Sequence, residues 1–377
     1  MHLITGLGTG GAEINLYKLV RAMDRSRFEN SVVSILPAGP IGTAITACSV
    51  PVTSLNVKRG IPNPIAIVRL WRLLRQWKPD VLQTWMYHSD LLGGITAKIS
   101  SGPPVVWNIR HSVLQRSNGA LTFMVAHLCA RLSSWLPAAI VCCSKASEQA
   151  HSKLGYNAAK MVVIFNGYDS GDFRPDPQAA ARLRTELALN ADAVLVENIG
   201  RFDPQKDHRS FLSAARVVRN ADRNATFIMC GDGITWQNSE LVEEIKRQGL
   251  KDCVHLLGRR TDVNRIMAAA SVVVSSSCSE GFPNVIAEAM ACGASCVVTD
   301  VGDARYIVGD AGIVVPPNDP ARLAEGVIKA LQQNANSAKD GLPGRERIAR
   351  LFDLRSTVEQ YEQLYERVSA AGLSSKA

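Results

Sequence analysis

The sequence lacks an uninterrupted apolar run long enough to span a membrane. A membrane-spanning helix needs about 20 predominantly apolar residues, and the longest candidate, residues 121–136, is interrupted by His127 and Arg131. The first residues, Met1 to Thr5, also lack the basic and then apolar layout of a signal peptide. We therefore expect a cytoplasmic protein that is not integral to a membrane.

The nine cysteines lack the spacing of a structural zinc site. No two of them are separated by two residues, and Cys292 and Cys296 have three residues between them without a His-rich partner segment. An odd number of cysteines, mostly inside apolar runs of a chain without an export signal, predicts reduced thiols. Structural zinc and disulfides are both disfavoured.

The first half of the chain is poor in acidic residues. Up to Phe165 there are 17 Lys and Arg against 6 Asp and Glu, whereas the remainder has 25 against 28. A basic surface of this kind fits anionic lipid, an acidic substrate or nucleic acid, and the count does not choose among them.

Residues Ile65 to Lys78 interleave Trp71 and Trp77 with four basic residues and predict a basic amphipathic helix. Its charged face is either simply solvated or rests on an anionic membrane.

The chain is longer than one hydrophobic core usually supports. Short apolar runs such as Val105 to Ile109 and Val272 to Ser275 alternate with helical patterns, which predicts parallel sheets covered by helices. Gly, Asp and Pro concentrate at residues 166–177, which marks an interdomain linker. We predict domains at residues 1–170 and 171–350, followed by a C-terminal helix within 351–377.

A glycine-rich turn follows the first predicted strand. Gly6, Gly8 and Gly11 have the spacing of the dinucleotide-binding fingerprint. That fingerprint also needs an acidic residue at the end of the second strand to hold a ribose, but Leu36 is followed here by Pro37. A nicotinamide-dependent oxidoreductase is therefore disfavoured. The turn either lines a ligand cleft or only connects a strand to a helix.

Two cations follow the first strand of the second domain. Arg201 and Lys206 are five positions apart across a turn that contains Pro204. Ligands of open parallel sheets bind at the carboxyl ends of the strands. Arginine suits a forked contact with phosphate oxygens and lysine supplies a compact charge. The pair therefore predicts a site for a diphosphate that leaves with growing negative charge, although two cations in a polar loop can also be merely solvated.

A second loop, Ser279 to Met290, follows another buried strand. Gly281 permits close approach of the backbone, and Pro283 is placed to begin a helix whose amides at Asn284 and Val285 face an anion. Glu280 lies in the loop and Glu288 about one turn into the helix, with seven residues between them. One carboxylate can bind sugar hydroxyls while the other holds a ribose. The alternative, a general acid and base pair, fits less well beside two cations and a helix start.

These residues resemble the retaining glycosyltransferases of family 4, also called group 1. The resemblance runs from residues 5–13 through 164–169, 200–202 and 231–233 to 314–317, and its most specific element is the spacing of Glu280 and Glu288. It implies the GT-B fold: two Rossmann-like, doubly wound parallel-sheet domains facing a cleft, with a C-terminal helix that crosses back to the first domain. For that helix we expect Phe352 to Ala370, with an apolar face formed by Phe352, Leu354, Val358, Tyr361, Leu364 and Tyr365.

The resemblance also implies roles for particular residues. Glu280 would contact the donor sugar, Glu288 the ribose, and Arg201 with Lys206 the diphosphate. His111 matches the active-site histidine of the family, and we assign it to positioning the sugar rather than to general base catalysis. The donor-binding residues expected from the resemblance are Gly10, Gly11, Gly231, Phe282, Pro283, Asn284, Val285 and Glu288.

The leading hypothesis is transfer of a hexose-like unit from a UDP- or GDP-sugar to a glycan or lipid-linked acceptor, as in surface polysaccharide or lipopolysaccharide synthesis. The chain contains no Asp-x-Asp, which fits a metal-independent enzyme without a cofactor that uses basic side chains and a helix dipole. The expected partners are a nucleotide sugar, the acceptor and, peripherally, the anionic inner face of the cytoplasmic membrane. A nucleotide-sugar hydrolase or epimerase and a catalytically idle binding module are the alternatives, and nucleic-acid binding is not expected.

Overall fold

The computed structural model describes residues 1–57, 64–112, 119–336 and 342–374. The chain divides into two compact units, one formed by Met1–Gly167 with Leu354–Ala377 and the other by Tyr168–Asp353. Relative to the boundaries placed from sequence, residues 168–170 and 351–353 therefore belong to the second unit.

The first unit is built on a parallel sheet. Among the described residues it has seven strands in the order β3-β2-β1-β4-β5-β6-β7. The strands are β1 (His2–Ile4), β2 (Val32–Ser34), β3 (Val52–Ser54), β4 (Leu82–Trp85), β5 (Val105–Ile109), β6 (Ala139–Cys142) and β7 (Met161–Val163). The helices that connect them are α1 (Gly11–Ala22), α2 (Pro40–Ala47), α3 (Pro64–Trp77), α4 (Tyr87–Ile99), α5 (Ala120–Leu132) and α6 (Lys145–Lys153).

The second unit repeats this arrangement with six strands in its described part, in the order β10-β9-β8-β11-β12-β13. The strands are β8 (Val194–Ile199), β9 (Ala225–Cys230), β10 (Val254–Leu256), β11 (Val272–Ser275), β12 (Ser295–Thr299) and β13 (Ile313–Val315). The helices are α7 (Ala179–Glu186), α8 (His208–Ala221), α9 (Ser239–Gln248), α10 (Val263–Ala269), α11 (Asn284–Ala291), α12 (Ala304–Val308), α13 (Pro320–Asn336) and α14 (Leu342–Leu351).

The strands of both sheets are mostly apolar, so both faces of each sheet must be covered by helices. Every residue of β6 and β9 is buried, as expected when helices pack on each side of a parallel sheet. In both sheets the strand order reverses direction beside the first strand, between β1 and β4 and between β8 and β11. Doubly wound sheets bind ligands outside the carboxyl ends of the strands at this switch point. The fold therefore directs attention to the loops after β1 and β4, and after β8 and β11.

The C-terminal helix α15 (Leu354–Ser374) belongs to the first unit, as the resemblance implied. Its buried residues recur every three or four positions and join the core around Leu16 and Trp85: Leu354, Val358, Tyr361, Leu364, Tyr365 and Val368. The buried Glu362 carboxylate adds an ion pair with Arg27 at 3.3 Å. Phe352 departs from the predicted face, because it precedes the helix and is buried in the second unit. Among the described helices, none combines the length and apolar character that a membrane span needs.

Candidate active site

The loop after β8 contains a single helical turn. Residues Pro204–Lys206 form this turn, and Asp203 caps it by accepting a hydrogen bond of 3.0 Å from a main-chain amide. Aspartate at the cap followed by proline favours such a turn, because the carboxylate satisfies an exposed amide and proline has a helical φ. Asp207, with φ of +45°, ends the turn and is the N-cap of α8. The sequence thereby confines Arg201 and Lys206 to one short loop at the carboxyl edge of the sheet.

Arg201 contacts a carboxylate of its own loop. Its Nε donates to Asp203 Oδ2 at 3.0 Å, and the arginine side chain is 59% exposed. Burial tends to raise the pKa of the Asp203 carboxyl, but the amide hydrogen bond and the Arg201 guanidinium outweigh burial and lower that pKa. A guanidinium carries five N–H donors. Asp203 can therefore orient the Arg201 side chain while other donors contact an anion.

Lys206 and Glu280 form an ion pair between the two loops. Lys206 Nζ lies 2.5 Å from Glu280 Oε1, and the side chains are 22% and 14% exposed. Ser277 Oγ donates to the same carboxylate oxygen at 2.8 Å. An ammonium has three donors, so the contact with Glu280 leaves Lys206 able to bind phosphate oxygens. The sequence placed Glu280 on the sugar and Lys206 on the diphosphate, and the structure shows the two in direct contact.

Main-chain contacts join the loop after β8 to the loop after β11. Ser276 Oγ donates to the Lys206 carbonyl at 2.8 Å, and the Cys278 amide donates to the Gln205 carbonyl at 2.8 Å. Strands β8 and β11 are themselves hydrogen-bonded neighbours at the switch point of the sheet. The contact between the side chains of Lys206 and Glu280 is therefore supported by the backbone on both sides.

Helix α11 begins directly behind Glu280. Pro283 is the N-cap, with φ of −72° and ψ of 91°, and the helix proper starts at Asn284. Pro283 thus precedes the helix rather than forming its first residue. The amides at the amino end of a helix point outward and carry partial positive charge. The first turn contains Asn284 and Val285 and begins four residues after Glu280, the partner of Lys206. It therefore adds positive potential beside the loop that the Lys206 cation contacts.

The loop after β12 supports the Glu280 loop and was not identified from sequence. Gly302 has φ of +56°, and a Cβ at this position would lie 2.4 Å from the Glu280 carbonyl oxygen and 2.6 Å from that of Gly281. The Asp303 amide donates to the Gly281 carbonyl at 3.0 Å. Only glycine fits this conformation and this close approach. The loop after β12 therefore determines the backbone course beside Glu280.

An aromatic cluster lies under the start of α11. Phe282 is buried and stacks on Tyr168 with ring centroids 6.3 Å apart, while Phe352 meets Phe282 edge-on at 5.3 Å. Tyr168 OH also donates to Asn284 Oδ1 at 2.6 Å. Phe282 was predicted to bind the donor through its backbone, which stays a prediction, and the structure places its ring in this cluster. Sequence reasoning missed Tyr168, although it lies next to the asparagine and glycine that marked the linker.

Gly231 lies where two neighbouring strands end. A Cβ on Gly231 would lie 2.0 Å from the Gly200 carbonyl oxygen and 2.9 Å from the Arg201 amide nitrogen. The Phe202 amide donates to the Asp232 carbonyl at 2.7 Å, so the loops after β8 and β9 run side by side. The close approach shows why glycine is needed here whether or not the residue contacts a donor.

Glu288 lies on the second turn of α11 and is partly buried. Four residues further along the helix, burial raises the pKa of the Cys292 thiol to about 12, and the carboxylates of Glu288 and Glu197 act in the same direction. Glu288 and Glu280 are thus placed as the sequence predicted, one on the helix and one in the loop. Their environments differ, since Glu280 contacts the Lys206 cation and Glu288 lies near the Cys292 thiol.

The glycine turn of the first unit leads into α1. Gly10 is the N-cap and Gly11 the first residue of the helix. A Cβ on Gly10 would lie 2.6 Å from Glu13 Oε2, so the Glu13 carboxylate lies against the start of α1. An acidic side chain at this position interacts favourably with the helix dipole. It also adds negative charge where a dinucleotide-binding domain would hold pyrophosphate, which supports the rejection of that function.

His111 follows β5 in the first unit and is exposed. Its carbonyl accepts a hydrogen bond of 2.8 Å from Ser147 Oγ, and its ring lies 6.3 Å from that of Tyr87. The preceding residue, Arg110, donates to Asn166 Oδ1 at 2.5 Å. His111 therefore occupies the carboxyl edge of the first sheet, as its position after a strand predicted.

The second unit brings together Arg201, Lys206, Glu280 and the start of α11 on adjoining loops. This arrangement can bind a polyanion through charge-assisted hydrogen bonds and, through Glu280 and Ser277, groups that bear hydroxyls. Within the part of the chain that the structure describes, no group of three or more His, Cys, Asp and Glu residues could hold a metal ion. Metal independence is not tested by this and stays a prediction.

Comparisons with known proteins identify the family that the chain matches. Residues 194–333 match the family model described as Glycosyl transferases group 1, and residues 9–172 match that described as Glycosyltransferase Family 4. The chain is 24% identical over 332 residues to the Escherichia coli UDP-Gal:alpha-D-GlcNAc-diphosphoundecaprenol alpha-1,3-galactosyltransferase, covering 85% of this chain and 84% of that protein. It is 32% identical over 204 residues to the D-inositol 3-phosphate glycosyltransferase of Frankia alni, covering 50% and 49%.

Solved structures share the fold across nearly the whole chain. Anabaena HepE, crystallised with UDP, superposes with a TM-score of 0.84 at 23% identity and covers 97% of this chain and 99% of that one. The sucrose-phosphate synthase of Thermosynechococcus elongatus superposes with a TM-score of 0.81 at 21% identity, covering 98% and 99%. The fold predicted from the resemblance, with two Rossmann-like domains of the GT-B type, is confirmed.

Proposed function

The chain belongs to the glycosyltransferases of group 1 and family 4, and from this premise we propose that it transfers a hexosyl unit from a nucleotide diphosphate sugar, with retention of the anomeric configuration, to a glycan or lipid-linked acceptor. UDP is the first candidate for the nucleotide and GDP the second, because the Escherichia coli relative is named for its UDP-Gal donor. Since that relative is also named for a diphosphoundecaprenol acceptor, synthesis of surface polysaccharide or lipopolysaccharide is the proposed setting.

The observation that carries the proposal is the partly buried pair of Lys206 and Glu280, with Nζ and Oε1 2.5 Å apart, beside the start of α11. In this proposal Lys206 and Arg201 bind the diphosphate, and the amino end of α11 adds to their positive potential. Glu280 binds sugar hydroxyls and Glu288 the ribose. As the bond to the sugar breaks, negative charge grows on the leaving diphosphate. Cations already in place stabilise that charge without reorganisation.

Donor binding tests this directly. We expect UDP, GDP, ADP and their sugars to raise the melting temperature to different extents, with the true donor giving the largest rise. Replacing both cations, Arg201→Gln with Lys206→Met, should remove the rise. The matched control is Arg209→Gln on α8, which removes an exposed guanidinium whose Nε lies 4.0 Å from Glu244 Oε2 of the same unit. Unchanged affinity for every nucleotide sugar in the double variant would refute the assignment.

Product analysis separates transfer from the related reactions. With the donor identified, we expect a glycosylated acceptor whose new linkage keeps the anomeric configuration of the donor, as measured by NMR of the anomeric proton. Nucleotide release without a glycosylated acceptor would favour a hydrolase, and conversion of the donor sugar would favour an epimerase. If the protein neither released nucleotide nor converted the donor sugar, the catalytically idle binding module would be favoured.

We also propose peripheral contact of the first unit with anionic membranes. Helices α3, α4 and α5 pack side by side, and the outer two expose apolar residues beside basic ones. The apolar residues are Ile65 and Val68 on α3, Leu121, Met124 and Leu128 on α5, and Trp135 after α5. The basic residues exposed near them are Arg69, Arg72, Arg75, Lys98 and Arg131. This combination fits an interface of acyl chains and anionic headgroups.

Vesicle cosedimentation tests the membrane contact. We expect binding to vesicles with anionic lipid, weaker binding as salt increases, and no binding to neutral vesicles. Met124→Ser combined with Trp135→Ser should weaken binding. Trp236→Ser is the matched control, since Trp236 is exposed in the second unit. If the fraction bound to vesicles changed neither with salt nor in the double variant, this part of the proposal would be overturned.

A further inference from the structure

His111 is held by its main chain to helix α6. Ser147 Oγ donates to the His111 carbonyl at 2.8 Å, and Ser144 caps the same helix by accepting from the Ser147 amide at 2.9 Å. Both serines are buried. A capped helix end has little freedom, so the hydroxyl of Ser147 is a defined donor toward the strand end that carries His111.

His151 extends this connection one turn further along α6. Its Nδ1 lies 2.8 Å from the Ser147 carbonyl and its Nε2 lies 2.7 Å from Tyr87 OH. A carbonyl oxygen only accepts, so Nδ1 carries the proton and donates. Burial lowers the pKa of His151 to about 4, so at neutral pH Nε2 accepts from the Tyr87 hydroxyl. The hydrogen bonds from Tyr87 to Ser147 therefore run in one direction.

The Tyr87 ring lies beside both imidazoles. Its centroid is 6.3 Å from that of His111 with the planes 30° apart, and 5.7 Å from that of His151 with the planes 28° apart. Tyr87 is buried whereas His111 is exposed. Offset packing of this kind restricts the orientation of the exposed His111 ring. The buried tyrosine thus provides a wall against which the His111 ring is placed.

The backbone before Tyr87 is strained. Met86 has φ of 72° and ψ of 155°, a conformation that costs a non-glycine residue roughly 1–3 kcal/mol and is concentrated at functional sites. The Met86 amide donates to the Asn108 carbonyl at 3.0 Å, and the Met86 carbonyl accepts from the Asp90 amide at 2.9 Å. These contacts retain the unfavourable conformation, and the result is that α4 begins at Tyr87 beside the end of β5.

We propose that Tyr87, held by His151, and Ser147 are positioning residues that fix the ring and the main chain of His111 for sugar transfer. The inference rests on the proposed function, in which His111 contacts the transferred sugar. In this proposal Tyr87 and Ser147 act through His111 and not by contact with a substrate. A misplacement of about 1 Å in a catalytic group can cost on the order of 100-fold in rate. Loss of the Tyr87 ring contact or of the Ser147 hydrogen bond to His111 should therefore have a measurable effect.

The first test is structural and needs no substrate. In NMR spectra, the carbon-bound ring protons of His111 should show a ring-current shift that disappears in Tyr87→Leu and persists in Tyr87→Phe. Assignment comes from the loss of the signals in His111→Ala. Identical His111 shifts in the wild type and in Tyr87→Leu would overturn the role of the ring, whether or not the protein transfers sugar.

The second test is kinetic. Tyr87→Leu should lower kcat about tenfold or more with donor KM unchanged, because orientation rather than donor binding is lost. Tyr87→Phe keeps the ring and should recover most of the activity. Tyr17→Leu on α1 is the matched control for loss of a tyrosine in the same unit and should keep wild-type kcat. A residue with only a structural role would lower the melting temperature without this split between kcat and KM.

Ser147→Ala keeps the test decisive if Tyr87→Leu does not fold. It removes one hydroxyl from a small side chain and should lower kcat about fivefold, the usual weight of one hydrogen bond. Wild-type kcat in Ser147→Ala would overturn the tether. If the wild-type protein transfers no sugar, the proposed function fails while the NMR test still stands. If it transfers sugar and both variants match it, the positioning role fails and the function remains.

Discussion

The described strands of the two units have the same order, 3-2-1-4-5-6 from edge to edge with one further strand in the first, yet different side chains pair at their carboxyl edges. The second unit holds charges there, with Lys206 paired to Glu280 and Arg201 to Asp203. At the same edge of the first unit, His151 and Tyr87 form a hydrogen bond of 2.7 Å, and the Tyr87 ring stacks beside His111. The same scaffold therefore carries a candidate anion site in one unit and a cluster of aromatic and imidazole side chains in the other.

The distribution of net charge alone would place an anion site in the first unit. The excess of Lys and Arg lies in the part of the chain up to Phe165, whereas the remainder has more acidic than basic residues. The candidate anion site nevertheless belongs to the second unit, because two loops concentrate cations where a helix begins. Local geometry places a binding site, and net charge describes the surface as a whole.

The comparison is tested most strongly at Lys206. Lys206→Met should lower kcat/KM for the donor by about 100-fold or more, the usual effect of removing one preorganised contact to developing negative charge. It also leaves Glu280 without its cation. Initial rates measure this, and Lys246→Met, which removes an exposed lysine of α9, is the control. Rates within twofold of the wild type would show that charge in the second unit does not carry the reaction.

Gly302→Ala sharpens the comparison by moving the Glu280 loop without changing a charge. Alanine at φ of +56° is strained, and its Cβ would collide with the Glu280 carbonyl oxygen. We expect a loss of about 3 kcal/mol in the free energy of unfolding, of which roughly 1 kcal/mol is backbone strain alone. Urea unfolding of Gly249→Ala isolates the strain, because Gly249 has φ of +69° and nothing within 4 Å. Equal losses in both variants would show that Gly302 does not constrain Glu280.

The neutral imidazole of His151 makes the stability of the first unit depend on pH. Burial holds the pKa of His151 at about 4, below its usual 6.5, so between these values the unfolded chain binds the proton that the folded chain excludes. The free energy of unfolding should therefore fall as the pH decreases, by about 2 kcal/mol from this group between pH 7 and pH 5. Urea unfolding at both pH values should show a smaller decrease in His151→Gln. Lys153→Gln, an exposed change in the same helix, should keep the wild-type decrease.

The smallest expected effect concerns divalent metal. Because Lys206, Arg201 and the amino end of α11 supply the positive charge in the proposed mechanism, EDTA should leave the transfer rate unchanged. Added Mg²⁺ or Mn²⁺ should likewise leave the transfer rate unchanged. A loss with EDTA that is restored by either ion would show that the charged site of the second unit is incomplete without metal.

Much of this protein was predictable from local patterns. Apolar runs predicted β5 and β11 with their observed ends, and glycine and proline turns placed Lys206 and Glu280 in loops after buried strands. The resemblance then predicted the GT-B fold and the return of the C-terminal helix. These features depend on residues close together in sequence or on a family pattern, so they do not require knowledge of which distant groups meet.

Other features were decided only by tertiary packing. Lys206 and Glu280 are 74 positions apart, and their contact depends on β8 and β11 being neighbours. Tyr87 reaches His151 across 64 positions, and Gly302 comes from a third strand end. Phe352 lies in the second unit rather than on α15, although its spacing fits the helix. The sequence by itself determined which residues form strands, turns and apolar faces, since these follow from local sterics and hydrophobic periodicity. The pairing of strand ends decided which side chains form a site, because it depends on long-range order that no local pattern encodes.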